Sequence, residues 1–175
     1  TACFSLSYLP YALTEYSKKY PGINFQIIEG KTPDIQRKCL DGTVDIFLSD
    51  SDIDDSLFEK EDIFEERIVI AVPRENVINE KLKDYQVSPE TIIAGKLNDE
   101  AIKEVDMSEF KDERFILLNE DQRVRKIVNK LFDEYSISPE EIMEIQQSTT
   151  GFAMAVAGMG VTFVAESAIK FNNYA

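Results

Sequence analysis

The order of predicted strands and helices is the feature that most constrains the fold of this chain. Short apolar runs rich in Val, Ile and Phe alternate with helices of about ten residues. The order strand, helix, strand, helix, strand occurs twice along the 175 residues. Strands that are separated by helices of this length form parallel βαβ units. The two halves share this order without visible sequence identity, so the sequence predicts two α/β lobes of similar topology.

The first lobe is predicted over residues 1–72, and its second helix has sequence signals at both ends. Thr32 is predicted as the N-cap, Pro33 as the first helical residue and Gly42 as the residue just past the end. The predicted strands are 1–4, 23–29, 44–48 and 66–72, and the predicted helices are 9–21 and 30–42.

The second lobe is predicted over residues 73–168, because Pro73 ends the last strand of the first lobe. Residues 74–109 are polar and acidic, and helices are predicted to begin at 88–90 and at 98–99. The remaining predicted strands are 114–118, 142–145 and 161–165, and the remaining predicted helices are 121–135 and 148–158.

The acidic segment 49–61 has carboxylates at the spacing of an EF-hand calcium loop. However, Asp55 stands where such a loop needs a left-handed residue, usually Gly. The segments on both sides are predicted strands, whereas an EF-hand has helices there. The segment is therefore predicted to be a solvated connection between strands and not a calcium site.

Charge and composition exclude several classes of function. The net charge of −14 argues against a nucleic-acid or anionic-membrane surface, since such surfaces depend on Lys and Arg. The absence of histidine removes the Ser-His and Cys-His nucleophile pairs and the usual zinc and iron ligand sets. No apolar run approaches the roughly 20 residues that span a bilayer. We therefore predict no metal and no membrane contact. Composition leaves open an enzyme that uses carboxylates, lysines or a cofactor, but no catalytic residue and no cofactor is predicted.

Short hydroxyl and amide side chains follow the predicted strands of both lobes. In open parallel sheets, ligands bind beyond the carboxyl ends of the strands, where helices begin. These side chains are therefore expected to rim a cleft between the lobes. The alternative for Thr32, Asp121 and Thr149 or Thr150 is an ordinary helix N-cap. The residues in these positions are Ser5, Ser7, Lys31 and Thr32 in the first lobe and residues 119–123, Ser148, Thr149 and Thr150 in the second.

Five segments, in order and at nearly the right spacing, resemble the effector-binding domain of LysR-type transcriptional regulators of bacteria. They are LPYALTEYSKKYPGINFQIIEG (9–30), LDGTVDIFL (40–48), DIFEERIVIAVPRE (62–75), FKDERFILL (110–118) and AVAGMGVTFVAES (155–167). The resemblance implies two Rossmann-like lobes of the type II periplasmic-binding-protein kind, joined by crossing strands. It also implies a small effector in the cleft between these lobes.

The resemblance also implies which residues contact the effector and what lies outside the sequence. A helix-turn-helix DNA-binding domain is expected before residue 1, and residues 169–175 are expected to begin a return crossing that continues after residue 175. Segment 74–109 is longer than in most of the family, which implies an extra helix, and Ala165 stands where the family usually has Pro. The implied effector contacts are Ser5, Ser7, Lys31, Thr32, Asn119, Gln122, Thr149 and Thr150.

The function implied by the resemblance is sensing of a small molecule and transmission of its binding to DNA. Helix starts with hydroxyls and one or two cations favour an anion. Lys31, Arg123 or Arg125 could supply the charge, or each could be a solvated surface cation. The implied partners are a small-molecule effector, further copies in a homodimer or tetramer, and DNA through the N-terminal domain only, in the cytoplasm. The alternatives are a solute-binding protein of a transport system and an enzyme on the same fold.

Overall fold

The computed structural model describes residues 8–49, 53–63, 65–97 and 100–171. The chain divides into two compact units, Thr1–Glu65 and Glu66–Ala175. The predicted strand 66–72 therefore lies in the second unit.

The first unit contains two helices, α1 (Leu9–Lys19) and α2 (Thr32–Leu40). Both were predicted, but the N-cap of α2 is Lys31, so the prediction of Thr32 as N-cap is wrong. The carbonyl of Lys31 already accepts from the backbone N–H groups of Asp34 and Ile35, at 3.0 and 3.1 Å, which makes Thr32 the first helical residue. Gly42, with φ of +78°, follows the end of α2 as predicted.

The predicted strands 23–29 and 44–48 are wrong, because neither forms a strand in the structure. The predicted strand 1–4 lies outside the described residues. A strand needs a paired neighbour, and the described part of the first unit contains no strand ladder and no buried residue. Ile27 and Ile46, for example, are 58% and 82% exposed. Alternation of apolar residues therefore did not suffice to form strands here.

The second unit is built on a four-stranded sheet. The strands are β1 (Ile68–Ala71), β2 (Arg114–Leu118), β3 (Glu140–Ile145) and β4 (Val161–Ala165). Their order in the sheet is β1-β4-β2-β3, with β1 antiparallel to β4 and with β2 parallel to both β3 and β4. The predictions of strands 114–118 and 161–165 are confirmed at both ends.

Helices cover both faces of this sheet. They are α3 (Ile78–Lys81), α4 (Pro89–Ile93), α5 (Arg123–Glu134), α6 (Ser148–Val156) and α7 (Glu166–Phe171), with 3-10 turns at Lys83–Tyr85 and Met107–Phe110. The helix predicted at 88–90 is confirmed, and the Ser88 hydroxyl caps it by accepting from the Thr91 N–H. The helix start predicted at 98–99 falls on residues that the structure does not describe.

The core of the second unit lies on both sides of β2. Phe115 belongs to a large cluster with Phe132 of α5 and Phe163 of β4, whereas Ile116 packs in a second cluster with Ile145 of β3. Successive strand residues point to opposite faces, so a strand buried on both faces reads as a continuous apolar run. This is why the sequence predicted β2 and β4 so closely.

Candidate functional site

The predicted effector residues belong to two units, and each unit is described by itself. Ser5 and Ser7 lie outside the described residues. Lys31 and Thr32 lie at the start of α2 in the first unit, where Lys31 is exposed and Thr32 is half-buried. Asn119, Gln122, Thr149 and Thr150 lie in the second unit, after β2 and β3.

In the second unit, two loops meet at the carboxyl ends of β2 and β3. The backbone N–H of Asn119 donates to the carbonyl of Ile145 at 2.9 Å. The side-chain amide Nε2 of Gln122 donates to the carbonyl of Gln146 at 2.7 Å. These bonds join the loop that leads into α5 with the loop that leads into α6. Because β2 and β3 are parallel neighbours, their carboxyl ends lie at one edge of the sheet.

The two helices that leave this edge have glutamine N-caps, Gln122 for α5 and Gln147 for α6. Neither glutamine side chain makes a capping bond. The N-cap alternative for Asp121, Thr149 and Thr150 is therefore wrong. Neither helix has an acidic residue in its first turn. The positive ends of both helix dipoles are thus left without a carboxylate on the first turn.

The first turn of α6 is packed tightly against the sheet. A Cβ atom on Gly151 would lie 2.5 Å from Ile145 Cδ1 and 3.1 Å from Thr162 Oγ1. Thr162 is buried, and its hydroxyl donates to the carbonyl of Ile116 at 2.8 Å. Thr149, half-buried, and Thr150, exposed, precede this close contact. Gly151 thus places the start of α6, a role that sequence reasoning missed.

Arg125 has a structural role that sequence reasoning also missed. Its side chain is 7% exposed, and its guanidinium donates to the carbonyl of Leu118 at 2.8 Å, to Asn129 Oδ1 at 2.9 Å and to Glu120 Oε1 at 2.6 Å. Asn129 in turn donates to Glu120 Oε2 at 2.9 Å. The spacing of Arg125 and Asn129 by four was the available sequence signal, since residues four apart are neighbours on a helix.

The start of α2 differs from the starts of α5 and α6. Its first turn carries an acidic residue, Asp34, which pairs with Arg37 at 3.1 Å. A carboxylate there offsets the positive end of the helix dipole.

The interior of the second unit has no room for an organic ligand beneath α5. A cavity of about 10 Å³ lies there between β2, Val128 and Phe163, which is roughly the space of one water molecule. Within the described ranges, no group of three or more His, Cys, Asp or Glu residues could hold a metal ion. A search of the same residues finds no helix with the length and apolarity to cross a bilayer.

Comparison with known families places the chain. The model of the LysR substrate binding domain matches residues 1–173. The chain belongs to this family. Its curated relatives include probable RuBisCO transcriptional regulators of Trieres chinensis, 21% identical, and of Thalassiosira pseudonana, 24% identical, each covering 93% of this chain and 48% of the relative. The LysR-family chain therefore spans about half the length of these relatives.

Solved structures of LysR-family proteins show the same fold. HinK of Pseudomonas aeruginosa matches with a TM-score of 0.64 at 20% identity, over 93% of this chain and 49% of HinK. The effector-binding domain of BenM with its effector benzoate matches at 0.59 and 19%, over 94% and 66%. That of QuiR in complex with shikimate matches at 0.63 and 13%, over 93% and 69%. The predicted type II periplasmic-binding-protein fold class is confirmed.

Proposed function

We propose that this LysR-family domain senses a small carboxylate and forms part of a transcriptional regulator. Effector binding would be transmitted to a helix-turn-helix DNA-binding domain elsewhere in the whole protein. The observation that carries the proposal is the pair of joined loops at the carboxyl ends of β2 and β3. The two helices that begin there have no capping bond from the N-cap side chain and no carboxylate in the first turn.

The preference for an anion is argued from local charge. The first turns of α5 and α6 contain no acidic residue, although Glu120 and Asp121 directly precede the N-cap of α5. The positive end of a helix dipole favours a carboxylate there. The named effectors of the similar BenM and QuiR structures, benzoate and shikimate, are both carboxylates.

Asn119, Thr149 and Thr150 are the proposed effector contacts in the second unit. Gln122 has one amide N–H committed to the carbonyl of Gln146, which supports a role in joining the two loops. In the first unit, Lys31 and Thr32 remain proposed contacts, together with Ser5 and Ser7. We propose that the effector binds between the lobes and shifts the population of their arrangements, which links effector binding to DNA binding.

The transport and enzyme alternatives are less well supported. The matching family model describes a LysR domain, and the curated relatives are named transcriptional regulators. They are about twice the length of this chain, which leaves room in them for a DNA-binding domain. We therefore infer that the domain binds its ligand without turnover.

Binding of carboxylates can be tested by thermal unfolding with benzoate, with shikimate and with the neutral analogue benzamide. A ligand at 100 times its Kd adds about 2.7 kcal/mol of stability. We expect a carboxylate to stabilise the chain and benzamide to have little effect. The Thr149→Val and Thr150→Val variants should bind that carboxylate about tenfold or more weakly, because each loses a hydroxyl donor to a charged group.

Thr91→Val is the matched control, because Thr91 also lies in the first turn of a helix of the second unit, α4, away from the sheet edge. The variant keeps the hydrogen bond from the backbone N–H of residue 91 to the Ser88 hydroxyl. Equal stabilisation by benzamide and benzoate would contradict the anion preference. Equal weakening in the control would contradict the site. The link between effector binding and DNA binding is tested separately. The affinity of the whole protein for its operator DNA is measured with and without the stabilising carboxylate.

A further inference from the structure

We propose that Arg125 is a positioning residue that holds the effector loop, residues 119–122, in its binding shape. The inference rests on the proposed function, which places Asn119 of this loop on the binding surface. Arg125 itself would not touch the effector, because its guanidinium is buried and bonded to the protein.

The position of Arg125 is unfavourable by local rules. It is the third residue of α5, near the positive end of the helix dipole, where a cation is disfavoured. It is also 7% exposed, and a buried arginine is costly unless it is paired. Departures of this kind are expected where a tertiary or functional requirement overrides local preference. Here the requirement is the set of hydrogen bonds that the guanidinium makes to the effector loop and the end of β2.

The guanidinium holds the start and the middle of the loop in relation to α5. One bond, to the carbonyl of Leu118, fixes the end of β2 at the point where the loop begins. The charged bond to Glu120 fixes the middle of the loop, and Asn129, one turn further along α5, holds the other carboxylate oxygen of Glu120. Hydrogen bonds to charged groups are stronger than neutral ones. The planar fork of Arg presents its donors to these acceptors in one fixed arrangement, which the compact ammonium of Lys does not.

The effector loop in turn restrains the second loop of the site, which leads from β3 into α6. Asn119 bonds to Ile145, and Gln122 bonds to Gln146, so residues 145–146 are fixed through the effector loop. The backbone N–H of Thr150 then donates to the carbonyl of Gln147 at 3.0 Å. A chain of contacts therefore runs from Arg125 to the start of α6. A loop held in its binding shape before the ligand arrives loses less conformational freedom on binding.

The test is native-state hydrogen exchange on the whole chain, comparing wild type with Arg125→Gln. The reporters are the backbone N–H groups of Asn119 and Gln122, and the distant references are those of Ile137 and Glu166. We expect exchange at the reporters to rise about ten- to a hundredfold, because charged hydrogen bonds that restrain local opening are lost. Exchange at the references should change less than about threefold.

Arg114→Gln is the matched control, because it removes the same charge from another Arg–Glu pair, one that joins β2 to β3. Arg114 Nε lies 3.2 Å from Glu140 Oε1 at the opposite, amino ends of β2 and β3. This control should leave the reporters within about threefold of wild type. Glu120→Gln is a milder second variant, since its side chain is 63% exposed and its loss spares the bond to Leu118. It should accelerate exchange at the reporters only.

Two exchange results would overturn the proposal. One is a uniform rise at reporters and references in both Arg125→Gln and Glu120→Gln, which would make the network a general stabiliser. The other is equal acceleration by Arg114→Gln. Benzoate binding is measured in parallel by equilibrium dialysis: a wild type that does not bind it counts against the proposed function, while the exchange result still decides the role of Arg125. If wild type binds and Arg125→Gln binds equally well, positioning is also refuted.

Discussion

Replacement of Phe115 by Leu tests where the stability of this chain lies. Phe115 is 0% exposed. Its ring centroid lies 5.1 Å from that of Phe132, edge to face, and 5.9 Å from that of Phe163, stacked. Each aromatic pair is worth about 0.5–1.5 kcal/mol beyond the area it buries. The loss of two pairs should therefore lower the free energy of unfolding of the second unit by about 1–3 kcal/mol.

Phe25→Leu is the matched control in the first unit. Phe25 is 42% exposed, and its ring centroid lies 5.8 Å from that of Tyr16. An exposed substitution of this kind should cost less than about 0.5 kcal/mol. Urea unfolding followed by circular dichroism measures both variants against wild type. A Phe25→Leu effect equal to or larger than that of Phe115→Leu would refute the reasoning that the second unit contains the stable core.

Three further predictions concern the second unit. Thr162→Val should lower the free energy of unfolding by about 1–3 kcal/mol in urea, because the buried carbonyl of Ile116 loses its hydroxyl donor; no change would contradict this. Hydrogen bonds from the side chain and backbone of Ser108 lower the pKa of Asp106. The ionised Asp106 therefore contributes fully to the free energy of unfolding above the ordinary Asp pKa, and this contribution is lost as pH falls through the lowered pKa. The Asp106→Asn variant lacks this contribution and should lose less stability than wild type on acidification. The fragment Glu66–Ala175 should unfold cooperatively by circular dichroism, and a gradual transition would refute its independence.

Local pattern predicted the sheet of the second unit because burial there is continuous. Apart from the exposed Arg114 in β2 and the buried Thr162 in β4, the two strands are apolar and buried, so no alternation was needed to recognise them. The capped start of α4 at Ser88 was equally local, since the capping bond joins residues three apart. Where the stabilising contacts lie within a few residues of one another, the sequence alone sufficed.

The same reasoning failed where a partner was needed. Segments 23–29 and 44–48 have strand composition but no paired neighbour among the described residues of the first unit. The caps predicted at Thr32 and at Thr149 or Thr150 failed for a related reason. A helix begins after the residue whose backbone carbonyl accepts the first helical hydrogen bond. That residue is Lys31 for α2 and Gln147 for α6.

The candidate site shows the same division. Its place after β2 and β3 followed from the general rule for open sheets, and the resemblance assigned Asn119 and Gln122 to it. The bond that joins Gln122 to Gln146 was not readable, since it depends on which strands are neighbours. The burial of the Arg125 guanidinium was not readable either, although its bonds join residues four to seven apart, because burial depends on how α5 packs on the sheet.

The sequence by itself determined the family, the α/β class and the helices and strands whose signals are local. The tertiary structure alone decided which loops meet, which cation is buried and why Gly151 stands where a Cβ would clash. The physical reason is the separation along the chain of the residues that interact. Apolar periodicity and helix caps act between residues a few positions apart, whereas the bonds that shape the site join residues far apart in the chain, such as Gln122 with Gln146 and Thr162 with Ile116.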